Sequence, residues 1–209
     1  MLSREHLDTV ALQLAQHLYD RNCRSFCFIG EYAALLSGWS PSPPDAVSSI
    51  QIYVSMSTSL RVWLETYVAP FSPSLFTLGA GTQRWLLQGV QLEFVRENPS
   101  FYLLSSPAYV DARPSSLSLE GLVQEPQFML AETLRDWQEQ LDNASQARLV
   151  RFWLSKDMRF GWRHAGPAAA EIACEFLGEI EDVEDRDGLG EQFAAVGLRL
   201  DGHDSAVKR

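Results

Sequence analysis

SFCFIG over Ser25–Gly30, EYAALLSG over Glu31–Gly38, WSPSPPDAVS over Trp39–Ser48 and SIQIYVS over Ser49–Ser55 form one continuous stretch, and its reading decides the fold. The first piece is a short apolar run, as a buried strand requires, stopped by Gly30. Glu31 to Ser37 reads as a short helix that Gly38 ends. Three prolines between Trp39 and Ala46 predict a loop. Ser49 to Ser55 reads as a second strand. Ile50, Ile52 and Val54 face one way, while Ser49, Gln51 and Tyr53 face the other, because side chains alternate along extended backbone. Strand, glycine, short helix, loop and a strand with one polar face therefore follow in sequence.

Upstream, residues 4–19 carry Leu7, Val10, Ala11, Leu14 and Leu18 at helical spacing and predict an amphipathic helix. Downstream, Leu60 to Val68 reads as a helix ended by Pro70. Residues 71–83 are rich in Ser, Pro and Gly and read as a loop. Trp85–Leu87 and Val90–Val95 read as a hairpin with Gly89 near its turn, and Gln91, Glu93 and Val95 share a face. Tyr102 to Ala112 is a candidate for one more short strand. The chain then becomes helical. Pro126 suits the first turn of a helix reaching about Leu141, with Leu130, Leu134, Trp137 and Leu141 on one side. A second helix is expected over about 145–159, and a third from Pro167. Residues 179–187 hold six acids against one Arg and read as a solvated segment. The last twenty residues offer one more short helix before a frayed tail. The expected class is α/β (α+β): a mixed sheet flanked by helices over residues 1–120, then a helical part over 121–209 packed on it.

Composition narrows the partners. The chain has 209 residues, 46% of them hydrophobic, with six Trp and eleven Phe, enough for a substantial core. A formal charge of -10 repels phosphate backbones, so nucleic acid is not an expected partner. Arg148, Arg151, Lys156, Arg159 and Arg163 are the nearest approach to a basic cluster, and they are spread along expected helix. The start, MLSREHLDTV, is charged, and no apolar run is long enough to span a bilayer. The expectation is a cytoplasmic protein without membrane contact. Cys23, Cys27 and Cys174 have no histidine close by and read as reduced thiols rather than zinc ligands. His17 reads as an exposed residue on the polar side of its helix. No Ser lies in a GxSxG pattern, and Gly79-Ala-Gly81 is too short for a phosphate loop. The Arg159–His164 segment reads as a surface loop or as an anion-binding cap.

The order helix, strand, glycine, helix, proline loop, strand, helix, hairpin, helices resembles the nucleotidyltransferase domain of the polymerase-β-like superfamily. It is most similar to the stand-alone group that includes toxin-type AbiEii proteins and many fungal proteins. The resemblance covers about residues 5–160 and rests on order and spacing. It implies a small-residue turn after the first strand, where backbone amides approach phosphates. It also implies an acidic pair at i and i+2 on the next strand and a third acid on a later strand. Together these would chelate two Mg²⁺ ions for in-line phosphoryl transfer. At those places this chain has Gly30-Glu31 in the turn, Ser49 and Gln51 for the pair, and Glu93 for the third acid. The helix lysine falls at Glu132 or Thr133. The resemblance thus implies the scaffold without its metal site, and neither metal nor other cofactor is expected.

A cleft at this position would be lined by Glu31, Ser49, Gln51, Tyr53 and Glu93, with Thr133 and Trp137 looking in from the helical part. It is polar at few points and suits an apolar small molecule. Gln51, Tyr53 and Glu93 are the candidate catalytic residues, as amide and phenol donors and as an acid or base. Glu31, Ser49, Thr133 and Trp137 are the candidate binding residues. Each has a plainer reading. Tyr53 and Trp137 could be core aromatics, Gln51 could satisfy backbone groups, and Glu93 could pair with Arg84 or Arg96. Three functions remain open. One is a metal-independent cyclase or isomerase of a fungal natural-product pathway, with a pericyclic, Diels–Alder-type step. Another is a non-catalytic protein that binds a partner or small ligand. The last is a residual nucleotidyltransferase using Glu31 and Glu93.

Overall fold

The computed structural model describes residues 2–23, 26–41, 47–54, 60–68, 76–78, 85–96, 118–123, 125–139, 144–158, 167–198 and 200. The chain divides into two compact units, Met1–Pro99 with Ser106–Gln124, and Ser100–Ser105 with Glu125–Arg209.

The first unit begins with α1 (Arg4–Asp20), whose N-cap Ser3 accepts from the His6 backbone N–H at 3.2 Å. Leu7, Val10, Ala11, Leu14, Ala15 and Leu18 form its buried stripe. Asn22 ends it in the left-handed region (φ 60), and the Cys23 N–H reaches back to the Leu18 carbonyl. Two side chains then tie α1 outward. The His6 Nε2 lies 3.1 Å from the Gln88 carbonyl oxygen, and the His17 Nε2 lies 2.9 Å from that of Tyr67. His17 is therefore half-buried and docks a neighbouring element, where its place on a polar helix face suggested exposure.

After α1 come β1 (Phe26–Ile29), α2 (Gly30–Leu36), β2 (Ser49–Val54), α3 (Leu60–Tyr67), β3 (Phe76–Leu78), β4 (Trp85–Leu87) and β5 (Val90–Arg96). They build a five-stranded sheet in the order β1-β2-β5-β4-β3. β2 and β5 run parallel, and every other neighbouring pair is antiparallel. The register places Phe28, Ile52 and Phe94 in one row and Ile50, Leu92 and Trp85 in another, all on one face. Helices cover that face. Tyr32 of α2 meets Phe28 edge-on at 5.4 Å, and Trp63 of α3 meets Phe94 at 5.4 Å. The Tyr32 hydroxyl donates to Asp8 of α1 at 2.8 Å. Burial, reinforced by the Asp8 carboxylate, pushes the phenol's pKa upward, so it remains a donor. A 3-10 turn at Glu120–Leu122 brings Val123 beside Phe28 as an isolated parallel bridge.

Three residues within the 71–83 stretch, expected to be all loop, are strand β3. A run this short shows no alternation of its own and is held by pairing to β4. The turn between β4 and β5 places Gln88 (φ 51) and Gly89 (φ 82) both in the left-handed region, as a tight two-residue hairpin requires.

The second unit holds α4 (Pro126–Glu139), α5 (Ala144–Leu154), α6 (Pro167–Gly178) and α7 (Val183–Ala195). Leu130, Leu134 and Trp137 of α4 are buried, as are Leu149, Val150 and Trp153 of α5. Trp137 packs edge-on to Phe176 at 5.1 Å, and Phe176 meets Phe193 of α7 at 6.2 Å. The acidic 179–187 stretch is solvated, as expected, with none of its residues buried, and from Val183 onward it belongs to α7. Asp182 caps it by accepting from the Asp185 N–H at 2.8 Å, and Glu184 and Asp185 lie where the helix dipole favours anions. Leu189 and Phe193 supply its buried side, and Asp185 pairs with Arg151 of α5. The helix expected over 145–159 ends at Leu154. The Tyr102–Ala112 strand, Leu141 and the Arg159–His164 segment lie outside the described residues.

Candidate functional site

The sheet face opposite the Tyr32–Phe28 and Trp63–Phe94 contacts carries the polar residues of β2 and β5. Antiparallel register sets Ile29 beside Gln51, and parallel register sets Gln51 beside Glu93, so the three form one row across β1, β2 and β5. Ser49 and Gln91 pair in the next row, and Cys27, Tyr53 and Val95 form the row on the other side. The alternation read in Ser49–Ser55 therefore places Ser49, Gln51 and Tyr53 together.

Glu93 sits between two carboxamides. Gln51 Nε2 donates to its Oε2 at 3.0 Å, and Gln91 Nε2 donates to its Oε1. An ionised carboxylate is acceptor-only and takes N–H donors at both oxygens. Ser49, Gln51, Gln91 and Glu93 are all half-buried, whereas Tyr53 is 6% exposed. These two partners come from its own strand and the next, and Arg84 and the side chain of Arg96, suggested as partners for Glu93, lie outside the described residues.

Gly30 opens α2 at the end of β1 with φ +68. A Cβ there would stand 1.9 Å from Gln51 Oε1. Glycine is thus demanded twice, by the backbone conformation and by the amide lying over it. Glu31 follows in the first turn of α2 and is half-buried.

Thr133 and Trp137 belong to the helical unit and have local partners there. The Thr133 hydroxyl donates to the Met129 carbonyl at 2.6 Å, and Trp137 has Phe176 against its ring. Next to them Arg135 joins Glu132 at 2.6 Å and Asp136 at 3.3 Å. Burial raises the pKa of both carboxyls, and Arg135 opposes the rise. Gln91 was not among the candidate residues from sequence, although it lies two positions before Glu93 on the same strand face. That i, i+2 relation is the signal that identifies it.

A divalent hard cation such as Mg²⁺ wants several carboxylate or carbonyl oxygens. These two neighbouring rows offer one carboxylate, already accepting at both oxygens, a hydroxyl and two amides, and this donor set does not fit a two-metal site. Among the described residues no group of three or more His, Cys, Asp or Glu side chains is placed to hold a metal. Among them, too, no helix is long and apolar enough to cross a membrane.

No protein-family model matches the sequence, and no curated protein matches it. A solved structure is similar in fold: the crystal structure of an antigenic nucleotidyltransferase-like protein from Paracoccidioides brasiliensis. It has a TM-score of 0.63 and 17% sequence identity, over 88% of this chain and 93% of that one. At that identity the likeness is one of fold, and the chain has a nucleotidyltransferase-like α/β architecture.

Proposed function

We propose that this chain is a nucleotidyltransferase-fold protein that binds a small organic ligand at the row of Gly30, Gln51 and Glu93, without metal-assisted nucleotidyl transfer. The observation that carries this reading is the Gln51–Glu93 bond across the parallel pair β2–β5. Ser49 and Gln51 stand on the strand face where the fold resemblance implies an acidic pair. Their hydroxyl and amide leave Glu93 as the one carboxylate of the row, and one carboxylate cannot hold two Mg²⁺ ions. The Gln51 amide donates where a metal ion would otherwise balance Glu93.

Metal-free cyclisation or isomerisation of an apolar substrate is the second reading. It would use Gln51 or Tyr53 to polarise a carbonyl and Glu93 as an acid or base. Binding is favoured over turnover because Gln51 and Glu93 hold each other. A substrate would have to loosen that pair before engaging either group fully.

Calorimetry of the full chain with MgATP tests the proposal, the expected result being no heat of binding. The Ser49→Asp/Gln51→Asp double variant should in turn gain Mn²⁺ binding with Glu93, read by electron paramagnetic resonance. Saturable uptake of MgATP or Mn²⁺ by the unaltered chain would overturn the proposal.

A further inference from the structure

We draw no further inference here: the strongest candidate, the buried Trp153 indole N–H in the core of the helical unit, has no hydrogen-bond partner among the described residues, and nothing in the structure shows what acceptor meets it.

Discussion

Alanine at position 30 would meet two obstacles, and a mutant cycle separates them. Gly30 has φ +68, where an L side chain costs about 1–2 kcal/mol. The new methyl would also stand 1.9 Å from Gln51 Oε1, well inside any real contact. Gln51 is flexible enough to swing away, but doing so breaks its 3.0 Å bond to Glu93. A hydrogen bond to a charged group contributes roughly 1.5–3 kcal/mol. Gly30→Ala should therefore destabilise the chain by about 2.5–5 kcal/mol in the native background, the sum of those two ranges. In a Gln51→Ala background the bond is already absent and only the conformational cost of about 1–2 kcal/mol remains. The double variant should thus be more stable than additivity implies, by about 1.5–3 kcal/mol. Urea unfolding of the parent, both single variants and the double variant measures this directly. If the costs add to within about 0.5 kcal/mol, the amide is not wedged between Gly30 and Glu93, and the geometry argued for the site is wrong.

Gln88→Asn should stabilise the β4–β5 turn by several tenths of a kcal/mol up to about 1, because Asn tolerates the left-handed conformation that Gln88 adopts beside Gly89; thermal unfolding checks it. Tyr32→Phe removes the buried donor to Asp8 and should cost about 1–2 kcal/mol in urea unfolding. Glu132→Gln concerns pH. Burial raises the carboxyl's pKa, against the pull of Arg135, so the folded chain holds the proton more tightly than the unfolded one. Stability from this group is then greatest below the unfolded value of about 4.3 and falls as pH rises through the folded value. The variant should show a flatter stability profile above about pH 4.3 and equal or greater stability at neutrality; urea midpoints across that range decide it.

Much of the fold and part of the site were legible because they depend on periods carried within single segments. Alternation in Ser49–Ser55 placed Ser49, Gln51 and Tyr53 on one face, and helical spacing drew out the buried stripes of α1 and α4. What escaped depends on partners distant in sequence. β3 exists through pairing with β4, and nothing in three residues announces that. Gln51 meets Glu93 because parallel register brings β5 against β2, a relation no local pattern encodes, whereas the Gln91–Glu93 pair was there to be read from its i, i+2 spacing. His17 looked solvent-facing because helix periodicity describes only its own helix, not the α3 carbonyl waiting beside it. α7 starts further upstream than the short helix expected in the last twenty residues: acids near a helix start favour it through the cap and dipole, and the buried side needs only Leu189 and Phe193. Thr133 and Trp137 carry the opposite lesson, since residue type alone does not separate a cleft-lining role from the helix and core contacts that each one makes.

The parallel pairing of β2 with β5 has a consequence for the order in which this molecule comes into being. β1 with β2, and β3 with β4 and β5, are each built from strands close in sequence and joined antiparallel. The seam between these two halves joins residues 42 positions apart, so closing it entails the larger loss of chain freedom. Gln51 and Glu93 lie on opposite lips of that seam. The Gln51–Glu93 pair therefore does not pre-exist in either half and is completed by the same event that completes the sheet. A ligand seated there would act as a rivet across the joint, raising stability in proportion to the logarithm of its concentration and slowing the parting of the two halves.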